Sequence, residues 1–71
     1  MEIKMVNVES SCIKSIGYDE EKSELFVEFT SGKTYKYPNC SKTLYENFMN
    51  STSKGRFLND YFVGSNYVKV D

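Results

Sequence analysis

The sequence predicts an α+β fold: an antiparallel meander sheet of three to five strands, with two short C-terminal helices packed on one face. Three observations predict it. Apolar and polar residues alternate with a period of two through Leu25-Phe26-Val27-Glu28-Phe29 and again through Tyr35-Lys36-Tyr37, with Gly32 between the two runs. Beyond Pro38, Leu44 with Phe48 and Tyr45 with Met49 make an i,i+4 apolar stripe. A second stripe of Phe57, Leu58, Tyr61 and Phe62 begins behind Ser53 and is stopped by Gly64. The chain of 71 residues is read as one domain, 1–71, with room for one small core.

The elements follow in order. Met1 to Val8 carries Ile3, Met5, Val6 and Val8, a weak strand pattern suited to an edge or a subunit contact. Cys12 to Tyr18 is a firmer strand, with Ile16 and Tyr18 on one face and Ile13 on the other. Gly17 inside it marks a bulge or a close backbone approach. Asp19-Glu20-Glu21-Lys22 is a polar turn into the strand Ser23 to Thr30. Gly32 tolerates positive φ without steric cost, and a three-residue loop with Gly32 as its left-handed residue spares Ser31 the same conformation. In that register Phe29 pairs with Lys33, Val27 with Tyr35 and Leu25 with Tyr37, so both tyrosines share the face of Leu25 and Val27. The alternative two-residue turn would face them the other way. Pro38 ends the third strand because it cannot donate to a ladder. Asn39 or Ser41 caps a helix reaching about Asn50, Ser53 caps a second one from Lys54 to Phe62, and Tyr67-Val68-Lys69-Val70 suits a last edge strand.

Composition narrows the function classes. With no histidine and two cysteines, the chain falls short of a four-ligand zinc site, and no cofactor is expected. Cys12 and Cys40 read as reduced, small apolar thiols of a cytoplasmic protein. No apolar run approaches the roughly 18 residues of a membrane span, and no cationic presequence is evident. So small a core points to self-association as reinforcement, hence a homo-oligomer. Net charge is −1 but uneven: residues 1–32 hold three lysines against seven carboxylates, and residues 33–71 hold six cations against three. This balance argues against tight, non-specific binding to long duplex, whose affinity scales with the phosphates neutralised. It leaves a short strand or a single nucleotide open.

Two groups of residues are candidate ligand sites. Ser53-Lys54-Gly55-Arg56 places a capping hydroxyl, a glycine and two cations at a helix start, a recipe for holding phosphate or carboxylate. The competing reading is an ordinary capped helix, with Gly55 there for packing against Gly17 or Gly32. Tyr35, Lys36 and Tyr37, with Tyr18 on a neighbouring strand, resemble a base-stacking platform. The competing reading, favoured by the register above, has these rings roofing the core with hydroxyls at the rim of a pocket. Ser10 and Ser11 lack a base to activate them and are read as backbone partners where the chain enters the sheet. Asp19, Glu20 and Glu21 are read as a solvated turn. An enzyme is not expected.

The pieces Val8-Glu9-Ser10-Ser11, Ile16-Gly17-Tyr18-Asp19, Leu25 to Phe29, Gly32, Tyr35-Lys36-Tyr37 and Ser53-Lys54-Gly55-Arg56-Phe57 occur in an order that resembles the KTSC domain. This small family occurs alone in bacterial and phage proteins and appended to some lysyl-tRNA synthetases. The sequence departs from the family pattern at Cys40 or nearby, where a valine is usual, and at Thr52, where an alanine is usual. The resemblance implies a binding module that contacts RNA, by association with a tRNA ligase. The expectation is therefore a non-catalytic RNA or short nucleic-acid binder, with Lys33, Lys36, Lys54 and Arg56 on phosphate and tyrosines stacking. The alternatives are an oligomeric protein sequestering a small nucleotide or other anion, or a protein-interaction domain using the sheet face of Phe26 and Ile13.

Overall fold

The computed structural model describes residues 3–62 and 67–70. Five strands form one antiparallel sheet in chain order: β1 (Val6–Asn7), β2 (Ile13–Asp19), β3 (Glu24–Phe29), β4 (Thr34–Tyr37) and β5 (Val68–Lys69). Helices α1 (Lys42–Asn50) and α2 (Lys54–Phe62) lie between β4 and β5 in the chain and cover one face. The stop expected at Gly64 lies outside the described residues.

The β3–β4 hairpin has the expected three-residue register. Leu25 opposes Tyr37 and Val27 opposes Tyr35, while the Phe29 N–H donates to the Lys33 carbonyl at 2.8 Å. Gly32 has φ +96° and its N–H closes onto the Phe29 carbonyl, the left-handed position that glycine fills at least cost. At the other hairpin Asp19 belongs to β2 and is buried. Its Oδ1 accepts the N–H groups of Glu21 and Lys22, which corrects the reading of Asp19 as a solvated turn residue. Asn and Asp organise turns in this way.

The face expected for Ile13 is also corrected. The ladder shifts by one residue between Ile13, opposite Phe29, and Ser15, opposite Glu28. The extra residue flips the parity of the strand, so Ile13 and Ile16 both point under the helices and both are fully buried. Gly17 lies outside this bulge and instead serves a close approach. A Cβ there would sit 2.5 Å from Met5 Sδ and 3.2 Å from the Lys4 carbonyl.

The core comprises Ile13, Ile16, Leu25, Val27, Tyr37, Cys40, Phe48 and Phe62. Helix α1 starts at Ser41, whose Oγ accepts the Leu44 N–H. It lays Phe48 into the core and stacks Tyr45 on Tyr18 at 4.7 Å. Of the residues expected on the inner side of α2, Phe57, Leu58 and Phe62 pack inward, whereas Tyr61 is 59% exposed. Its ring stacks on Phe57 from outside at 4.3 Å. On the opposite face of the sheet Phe26, Lys36 and Val68 share one cross-strand row.

Candidate functional site

Helix α2 runs from beside β2 at its start to β4 at its end, and a cleft lies under it. At its start Gly55 meets Cys12, beside β2, so closely that a Cβ would lie 2.8 Å from Cys12 Sγ. At its end Phe62 packs on Tyr37 of β4 with ring centroids 5.1 Å apart. Between these points Gly55, Leu58, Asn59 and Phe62, one stripe at helical spacing, face Phe29, Tyr35, Tyr37 and Tyr67. They enclose a cleft of about 470 Å³, within the range of small-molecule sites.

The walls are chiefly aromatic. Phe29 and Tyr35 meet edge to face at 5.6 Å, and Tyr35 and Tyr67 at 5.1 Å. Tyr67 also meets Tyr37 at 6.0 Å. Tilted and edge-on packing of this kind is the favoured arrangement for ring quadrupoles. Tyr37 is buried, and burial, followed by the neighbouring Tyr67 and Tyr35, raises its phenol above the ordinary value of 10.0. Tyr67 is 58% exposed and forms the open side. Cys12 is an exposed thiol on the opposite wall, with Ser10 Oγ 3.7 Å from its sulfur. The same hydroxyl accepts the N–H groups of Cys12 and Ile13. The expectation of two small apolar thiols therefore holds for buried Cys40 but not for exposed Cys12.

The expected site residues are divided among separate places. Tyr35, Tyr37 and Gly55 meet at the cleft. Lys36 alternates to the opposite sheet face, where its ammonium pairs with Glu24 at 3.3 Å. Tyr18 belongs to another corner, donating its hydroxyl to the Cys40 carbonyl at 2.6 Å. Ser53 supplies the carbonyl that accepts the Phe57 N–H at the start of α2. The Lys54 ammonium folds back onto the Ser51 carbonyl at 2.6 Å, bracing the connection between the helices. Arg56 is exposed and lies 3.9 Å from Asp60, one turn along α2. The packing partner proposed for Gly55 is also corrected: it is Cys12, not Gly17 or Gly32.

Sequence reasoning missed Phe29, Leu58, Asn59, Phe62, Tyr67 and Cys12 as cleft residues, and Lys69 as their neighbour. Lys69 opposes Tyr35 in the β4–β5 ladder. The β-prone run Tyr67 to Val70 was the available signal, since pairing that strand with β4 places Tyr67 and Lys69 beside Tyr35.

The cleft residues from Cys12 to Tyr67 fall within a match of residues 9–67 to the KTSC domain family. A protein of Stutzerimonas stutzeri (strain A1501) is 35% identical over 65 residues, which are 92% of this chain and 92% of that one. A protein of Tsukamurella paurometabola is 38% identical over 55 residues, covering 78% of this chain and 82% of its own. The fold agrees as well. The crystal structure of a KTSC domain protein from Yersinia pestis matches with a TM-score of 0.91 at 35% identity, over 99% of this chain and 100% of that one. Sequence and architecture thus coincide over nearly the whole length, and the chain is a member of the KTSC domain family.

Proposed function

We infer that this protein is a non-catalytic binding module for RNA or short single-stranded nucleic acid, which takes one unstacked base into the aromatic cleft. The observation that carries this reading is the ring arrangement around Tyr35, with Phe29, Tyr37, Phe62 and Tyr67 about a cleft of about 470 Å³. Stacking a base on such rings is worth about 1–3 kcal/mol and tolerates any base, because each has a π-face. Tyrosine hydroxyls and the Asn59 amide add hydrogen-bonding groups to the same walls. Long duplex fits this reading poorly. Lys36, Lys54 and Arg56 point to different places and are engaged by Glu24, the Ser51 carbonyl and Asp60, so they form no continuous track for a backbone.

A cytoplasmic, self-associating protein is part of the proposal. Met5, Val68 and Val70 are exposed apolar residues that do not line the cleft, and we propose that self-association uses them.

The test is a titration of a labelled single-stranded hexanucleotide, read by anisotropy, against the wild type and Tyr35→Ala. Binding by the wild type, with at least a tenfold loss in the variant, is expected. Cys12 gives a second readout, because it is the exposed thiol while Cys40 is buried. The oligonucleotide should slow its reaction with a disulfide reagent. Absence of binding by the wild type, or unchanged binding by Tyr35→Ala with Cys12 unprotected, would overturn the reading.

A further inference from the structure

The rings of the cleft carry no formal charge, but two cations stand beside them. Lys69 is directly opposite Tyr35 in the β4–β5 ladder. Lys33 precedes Tyr35 by two residues and is tied to Phe29 through its carbonyl. Alternation therefore places Lys33, Tyr35 and Lys69 on the helix side of the sheet. Lys33 and Lys69 are diagonal cross-strand neighbours, about 7–8 Å apart along the sheet. Both are exposed. Among the described residues neither belongs to an ion pair, whereas Lys36, Lys42 and Arg56 each do. Two like charges on one cross-strand diagonal repel one another, and an anion between them offsets that repulsion and gains two charge-assisted hydrogen bonds.

We propose that Lys33 and Lys69 hold the phosphate attached to the nucleoside whose base occupies the cleft, so that each chain binds one nucleotide unit. This rests on the base-stacking reading of the cleft and refines its ligand. Stacking sits at Tyr35, Tyr37 and Tyr67, and the phosphate stays at the solvent edge by the hairpin. An edge position accommodates either a free monoester or the diester of a strand, because the rest of the strand continues into solvent. Lysine suits this role as a compact charge that needs no bidentate geometry. Lys69 lies outside the family match, which ends at residue 67, and the pair follows from this chain's own register.

The experiment is calorimetric titration of AMP and UMP, each beside its nucleoside, into the wild type, Lys33→Met with Lys69→Met, and Lys36→Met. The wild type is expected to bind each nucleotide at least tenfold tighter than its nucleoside at low salt. The double variant should bind nucleotide and nucleoside alike, with nucleoside affinity unchanged. The dependence of log affinity on log salt for a short strand should fall in slope by about 0.7, the loss of one neutralised phosphate. Lys36→Met removes the same kind of charge from the opposite face and should leave nucleotide binding as it was. A double variant that retains the preference for nucleotide would overturn the phosphate pair while leaving the stacking site intact. An equal loss in Lys36→Met would overturn it too, showing a net-charge effect. A wild type that binds neither nucleotides nor nucleosides nor the hexanucleotide would remove both the pair and the cleft reading.

Discussion

The Tyr18 hydroxyl donates a 2.6 Å hydrogen bond to the carbonyl of Cys40, joining the end of β2 to the segment that leads into α1. The same residue is held from its other side, because the Cys40 N–H donates to the Ser23 carbonyl at 2.8 Å. Cys40 is thus a buried anchor between the first hairpin and the helical layer.

Tyr18→Phe should therefore lower stability by about 1–2 kcal/mol, the cost of a lost bond that leaves a partly buried carbonyl unsatisfied. Urea denaturation measures it. Nucleotide affinity should not change, because Tyr18 lies away from the cleft lining.

Gly17→Ala should displace the N-terminal segment. The new Cβ would stand 2.5 Å from Met5 Sδ, 2.7 Å from Ile3 Cγ2 and 3.2 Å from the Lys4 carbonyl. The methionine can swing away, but the Lys4 backbone carbonyl can move only with the N-terminal segment that leads into β1. A loss of about 1–3 kcal/mol is expected, with faster amide exchange at Val8, whose N–H is bonded to Lys14.

Gly55 and Cys12 should behave as a coupled pair. Gly55→Ala alone sets a Cβ 2.8 Å from Cys12 Sγ and should destabilise the protein. In a Cys12→Ala background the obstruction is gone, and alanine's helix preference, worth up to about 1 kcal/mol, should make the same change neutral or stabilising. A double-mutant cycle should return a coupling of about 1–2 kcal/mol. Additive effects would show that α2 does not rest on Cys12.

Stability should fall at alkaline pH. Burial pushes the Cys40 thiol from 9.0 up to about 11 and raises Tyr37 above 10.0. Both groups are neutral when protonated, so in rising pH the unfolded chain loses these protons before the folded one. The folded state then binds more protons, and the free energy of unfolding decreases as pH increases. For Cys40 the contribution is complete below pH 9 and is lost progressively up to about pH 11. Cys40→Ala should lower stability at pH 8 through lost packing, yet flatten the decline between pH 9 and 11 in a series of urea midpoints.

The sequence by itself determined the local elements. Alternation through β3 and β4, together with one glycine able to take φ +96°, specified the hairpin and the shared face of Tyr35 and Tyr37. Pro38, the two capping candidates Asn39 and Ser41 and the i,i+4 stripe specified α1, and the fold selected Ser41 as its cap. These signals are local because strand parity, turn conformation and helix capping depend on neighbours a few residues apart. Tertiary structure decided what the elements bring together. The bulge between Ile13 and Ser15 inverted one strand's parity without any glycine to announce it. Lys54 found a partner in the connection before its helix and Arg56 one a turn along it, while Lys69 reached Tyr35 across a pairing that spans both helices. A lysine's alternation gives its face but not its partner, because a long flexible side chain is positioned by whichever acceptor or ring the rest of the fold sets beside it.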